Sequence, residues 1–195
     1  MELRQDTPDL SAYLRDDDVV DHRHPVVRDT AARLRARTGD AYSYAEAAFE
    51  FVRDTIPHSA DSGDERVSCR ASVVLATRNG ICFAKSHALV ALLRAEGIPA
   101  GFCYQKLDTL HGLIALRLPG HGRWARQDPR GNKPGVDARF RLDREQLAWQ
   151  VRPEFNEIDY PVVYTEPHPV VLTCLREAVD RSHLWQTLPT ELPRH

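Results

Sequence analysis

Apolar positions recur at helical spacing from Pro25 onward, where Val26, Val27, Ala31 and Leu34 share a face and Gly39 marks a stop. The spacing predicts a first helix there. Residues 1–24 before it are polar and acid-rich, with room for a short helix or strand. Ser43-Tyr-Ala-Glu46 matches a capping box and opens AEAAFEFVRDTI, which has to end before Pro57. HSADSGDE reads as a loop. Ser68 is expected to cap a short helix running to Thr77, broken by Arg78-Asn79-Gly80. From about Cys82 to Glu96 the apolar residues fall on more than one face, and Gly97 and Pro99 follow, which predicts a mostly buried central helix. IPAGFCYQKL, HGLIALRL and RWARQD then read as strands. Beyond Gly131 the pattern is irregular: LDREQLAW is expected as a short helix and DYPVVYT as extended chain. PHPVVLTCLREAVDRSHLW is expected as one C-terminal helix entered through proline. Helices first and an antiparallel sheet afterwards make an α+β plan. With no repeat or linker, residues 1–195 are expected to form a single domain.

Composition narrows the partners. The chain is 42% hydrophobic and 28% charged with a net charge of −2, and its arginines are scattered among acids, so no field attracts nucleic acid or an anionic membrane. No apolar run reaches the length of a membrane span, and the first residues lack the apolar core of a secretion signal. The expected location is cytoplasmic. Cys69, Cys82, Cys103 and Cys174 show no paired spacing, so free thiols are expected. His22 and His24 lie near acids, but no metal-ligand spacing supports a site, and no metal or cofactor is expected.

Cys82 stands where the central helix begins, just after Asn79-Gly80. A helix N-terminus offers unpaired N–H groups and partial positive charge, which favour a thiolate and can hold an oxyanion. Alone this is weak, because free cysteine is often simply buried. The second piece is LHGLIALRLPGHGRWARQDPRG. If its turn centres between Pro119 and Gly120, His111 falls opposite Asp128, within reach of an imidazole–carboxylate hydrogen bond. A slip of one residue would separate them onto opposite faces. Nucleophile, base and orienter then come together. The other cysteines read as core. His87 points to a different helix face from Cys82, and Lys85, one turn after Cys82, is expected to be solvated.

These residues resemble the transglutaminase-like superfamily of cysteine enzymes, built on a papain-like core. The matches are Gly80-Ile-Cys82, Ala91-Leu-Leu-Arg-Ala-Glu-Gly-Ile-Pro-Ala100, His111-Gly and Trp124-Ala-Arg-Gln-Asp128-Pro, with FVRDTIP upstream; the resemblance covers roughly residues 45–131. The resemblance implies a central helix bearing Cys82 packed on an antiparallel sheet bearing His111 and Asp128, with extra N- and C-terminal helices. It implies Cys82 as nucleophile, His111 as base and Asp128 as its orienter, without a metal. The implied reaction is acyl transfer from a peptide, isopeptide or glutamine amide of a peptide or protein substrate through a thioester. Water as acceptor makes a protease or amidase, an amine a transglutaminase. Two positions depart from the pattern: Leu113 replaces the aromatic that often stands second after the histidine, and His58 replaces an aromatic after the upstream helix. His58 is a candidate oxyanion side chain; Arg130 and Asn132 are candidate substrate contacts. The alternative is a non-catalytic module of the same fold that holds a peptide or protein in its cleft.

Overall fold

The computed structural model describes residues 1–193. Strand β1 (Arg4–Gln5) and one 3-10 turn (Leu10–Leu14) open the chain. Pro25 starts helix α1 (Pro25–Arg35), and the His24 ring accepts the Val26 N–H. Helix α2 (Ala41–Thr55) begins earlier than the Ser43 cap predicts. Asp40 is the cap: its carboxylate accepts the Ser43 N–H, and Ser43 Oγ accepts the Asp40 N–H. A carboxylate also complements the helix dipole, which a serine hydroxyl cannot. The segment read as a loop contains one helical turn, α3 (Ser59–Ser62), capped by His58. Helix α4 (Ala71–Thr77) starts without the Ser68 cap, because Asp21 Oδ1 reaches over from the N-terminal segment to accept the Ser72 N–H.

Helix α5 (Cys82–Ala95) is buried from Cys82 through Arg94. Only an arginine that finds carbonyls can sit so deep. The Arg94 guanidinium donates to the carbonyls of Arg15, Ala100 and Thr165, tying the end of α5 to the N-terminal segment, the next strand and the chain after the sheet. Strands β2 (Ala100–Lys106), β3 (Leu110–Leu116), β4 (Ala125–Gln127) and β5 (Ile158–Asp159) form an antiparallel sheet in the order β4-β3-β2-β5. Strand β6 (Val162–Val163) pairs in parallel with β1. The central helix covers the sheet face of Phe102, Tyr104, Ile114 and Leu116. The other face buries Cys103, Leu113 and Ala115 against Tyr13, Val163, Trp124 and Leu147. The expected α+β architecture is therefore present.

Two elements differ from expectation. LDREQLAW is not a helix: it is irregular chain that bends at residues 142–144 and packs Leu147 on the outer sheet face. The C-terminal stretch is two helices, α6 (Pro169–Glu177) and α7 (Arg181–Thr187), because Asp180 caps a new start by accepting the His183 N–H and Glu65 holds Arg181. No helix among the described residues is long and apolar enough to cross a membrane.

Candidate active site

Cys82 is the first residue of α5, behind an Ile81 cap that offers no side-chain acceptor. It is 6% exposed, at the floor of a cleft of about 620 Å³ walled by His58, His111, Arg130, Trp149 and Trp185. Glycine at 112 lets the helix start come this close to the sheet. A Cβ there would stand 2.4 Å from Phe83 Cδ1, the residue after Cys82. Gly112→Ala is expected to push α5 from β3, slow alkylation of Cys82 and cost about 1–3 kcal/mol of stability. Urea unfolding run beside iodoacetamide labelling checks this; wild-type behaviour in both would show that Phe83 yields freely.

His111 lies on the opposite face of β3 from Gly112. Its Nε2 is 2.9 Å from Asp128 Oδ2, which leaves Nδ1 for the Cys82 thiol in the same cleft. The pairing differs from the expected register. Ile114 pairs with Gln127 and Leu116 with Ala125, so Asp128, just past β4, extends the register opposite Leu113. His111 and Asp128 are diagonal rather than directly opposed. The two-residue shift preserves the face, and diagonal neighbours remain within reach of long side chains. Burial opposes a charged His111, but the Asp128 carboxylate and Cys82, by charge and hydrogen bond, raise its pKa to about 10. Burial likewise opposes a charged Asp128; His111 and the N–H groups of Ala148 and Arg130 outweigh it and hold the carboxyl below its usual range.

The irregular segment that replaces the expected helix supplies what the sheet lacks. Glu145 pairs with buried Arg126, Leu147 enters the outer core, Ala148 N–H donates to Asp128 Oδ2, and Trp149 stands edge-on to His111 at 4.9 Å. Gln105, opposite His111 in the register, donates to the Trp149 carbonyl. Trp149 thus provides an aromatic wall beside the histidine where Leu113, buried in the outer core, does not. Sequence reading missed this segment. The one signal was a tryptophan in an otherwise polar stretch.

The remaining candidates separate. His58 is in the cleft: the Cys82 N–H points at its Nε2 at 3.1 Å and the Ala60 N–H at its Nδ1 at 3.2 Å. Burial, with Arg130 and Lys85 nearby, pushes its pKa down to about 3. Arg130 is also in the cleft, stacked 5.4 Å over Trp149 and paired with Asp61 of α3. It joins the Asp128 turn to the His58 side. Asn132 is not brought there. Its amide is bonded both ways to the Ala138 backbone, in a groove with Tyr42 and Glu50. Lys85 is fully buried rather than solvated, donating to the carbonyls of Arg53 and Ile56 at the end of α2; burial pushes its pKa down to about 7. Of the other thiols, Cys103 and Cys174 are buried and Cys69 is partly buried against the core; burial pushes Cys69 up to about 11 and Cys103 and Cys174 up to about 12. Among the described residues no group of three or more His, Cys, Asp or Glu side chains is placed to hold a metal ion.

Two solved structures share the fold. One is a candidate cysteine protease from Cytophaga hutchinsonii, with TM-score 0.54 and 20% identity, covering 64% of this chain and 43% of that one. The other is the periplasmic domain of TgpA from Pseudomonas aeruginosa, with TM-score 0.50 and 19% identity, covering 63% and 48%. The chain thus spans less than half the length of either. No curated protein matches significantly. Residues 28–129, just over half of the chain, match the model of a family that is in general one of cysteine-dependent enzymes. They carry Cys82, His111 and Asp128 together, and by that match the protein belongs to the transglutaminase-like superfamily.

Proposed function

We propose that the protein is a cysteine-dependent acyl-transfer enzyme acting on amide bonds of peptide or protein substrates, with Cys82 as nucleophile, His111 as base and Asp128 as orienter. One observation carries this reading: Cys82 and His111 line one cleft, and a buried carboxylate, Asp128, holds the buried His111 ring there. His111 takes the thiol proton and remains an imidazolium against Asp128. The thiolate attacks the amide carbonyl to form a tetrahedral oxyanion. Collapse breaks the C–N bond, and the amine leaves with the proton from His111. The thioester is then opened by water, giving an acid, or by a primary amine, giving a new amide; His111 removes the proton of either acceptor. Asp128 keeps the ring oriented with Nδ1 towards sulfur.

Alkylation against pH tests it. At pH 6 Cys82 is expected to react with iodoacetamide at least about tenfold faster than Cys69, Cys103 or Cys174, and His111→Ala is expected to remove the difference. Peptide mapping by mass spectrometry reads all four thiols in one experiment. Equal, slow labelling of the four would sink the reading in favour of a binding cleft.

A further inference from the structure

The family match ends at residue 129, yet Trp185 and Leu188 line the cleft with Cys82. A short helix followed by irregular chain holds its place only where it is tied down. Here it is pinned on both walls. On the helical wall the Glu65 carboxylate, just after α3, accepts from Arg181 and from the N–H and hydroxyl of Ser182, and the Glu65 carbonyl accepts the Arg181 N–H at 2.9 Å. On the sheet wall the Leu110 N–H donates to Pro189 O at 2.7 Å, Lys106 pairs with Glu191 at 2.7 Å, and Tyr160 OH accepts the Leu192 N–H at 3.0 Å. Leu184, between the two sets of anchors, is buried in the core. Residues 181–192 therefore cross from one wall to the other as a fixed element.

Trp185 is the part of that element left open. It is 38% exposed, a large apolar surface in the cleft that holds the thiol. The Arg181 guanidinium lies over the indole at 5.8 Å, and the His58 ring stands nearly perpendicular to it at 6.4 Å. Charge in the cleft is largely answered already: Arg130 pairs with Asp61 and Arg152 with Glu157, while Asp108 sits on the exposed turn between β2 and β3. The proton path says which part of a substrate meets the indole. The leaving amine takes its proton from His111, whose ring abuts Trp149 at 4.9 Å. The acyl group then occupies the other flank of Cys82, towards His58 and Trp185.

We propose that Trp185 is a specificity-determining residue that packs against an apolar side chain of the acyl group transferred to Cys82, and that Glu65 holds it there by anchoring Arg181 and Ser182. This rests on the proposed function above and names the class of acyl donor: an amide whose carbonyl side carries an aromatic or large aliphatic group. An indole offers a large, rigid apolar face with little rotamer freedom to lose. A charged acyl group would give up water there without finding a partner.

Two p-nitrophenyl esters test this, the acetate and the 3-phenylpropanoate. Each acylates Cys82 as the sulfur–carbon bond forms and p-nitrophenolate leaves, the thiol proton passing to His111. Each rate is divided by that of the same ester with 2-mercaptoethanol, and mass spectrometry locates the acyl group. Wild type is expected to favour the 3-phenylpropanoyl group about 30-fold, Glu65→Ala about tenfold and Trp185→Ala about threefold. No preference in wild type, or an equal change of both rates in Trp185→Ala that leaves the preference whole, would overturn the Trp185 assignment alone. The full preference in Glu65→Ala would overturn the anchoring role. Acyl groups found on other cysteines but not on Cys82 would overturn the nucleophile, and the role of Trp185 with it.

Discussion

Alanine at position 82 is expected to lower acyl transfer at least about 10⁴-fold while the protein stays folded. The thiol is the only atom proposed to form a bond with the acyl group, and water lacks its position beside His111. The core loses one sulfur at the edge of the cleft, so the stability change is expected to be about 1 kcal/mol or less. A second result is expected in the same variant. Cys82 is one of the two groups whose charge and hydrogen bond raise the pKa of His111, and burial opposes both. Without it the His111 pKa is expected to fall below its wild-type value. Hydrolysis of p-nitrophenyl acetate reads the first effect and an NMR titration of the His111 ring reads the second. Retained hydrolysis would remove Cys82 from the chemistry; an unmoved ring titration would mean that thiol and imidazole are not coupled.

The elements that bring Cys82 and His111 together are local in sequence, and that made them legible. Asn79-Gly80 before a helix buried on all faces, and Gly97 and Pro99 after it, mark α5 without any distant information. The hairpin from β3 to β4 is also local, and its two-residue register error did no harm because strand faces alternate with period two. Gly112 was part of the motif, but only the structure gives it a reason, the approach of Phe83.

The parts that sequence reading lost are held by distant partners. LDREQLAW has helical composition, yet buried Arg126 and Asp128 need Glu145 and the Ala148 N–H, and those contacts outweigh a propensity worth tenths of a kcal/mol per residue. Ser68 lost its cap to Asp21 for the same reason. A solvated Lys85 is the ordinary expectation, because lysine is seldom buried without partners. The open carbonyls at the end of α2, which make its burial tolerable, are about thirty residues away. Asn132 followed the Asp128 turn in sequence but not in space, since Gly131, at φ +111°, turns the chain away towards Ala138.

Replacing Asp128 with alanine is expected to be the most destabilising change at the site. The carboxylate is fully buried and accepts from the Ala148 and Arg130 N–H groups besides facing His111. Its removal leaves two backbone donors unpaired and an imidazolium without a counter-charge, a loss of about 3–5 kcal/mol, or roughly 10 °C in Tm. Asp128→Asn fills the same space and can still accept, so it is expected to cost less stability while still slowing the thiol chemistry. The pH dependence distinguishes charge from packing. His111 has its pKa raised to about 10 in the folded protein, so its contribution is complete below the unfolded value of about 6.5 and is lost as pH rises from there through 10. Asp128 has its pKa lowered, so its contribution is complete above the unfolded value of about 3.9 and is lost as pH falls below that. The pair therefore stabilises most between about pH 4 and 6.5. Wild type is expected to lose stability between pH 6.5 and 10, and Asp128→Ala to lose much less over that range, because its His111 no longer has a carboxylate to hold the proton. Urea unfolding at pH 6 and at pH 9.5 measures both slopes. Parallel slopes in wild type and Asp128→Ala would assign the cost to packing and unpaired N–H groups, and would leave the imidazolium–carboxylate pair without a part in stability.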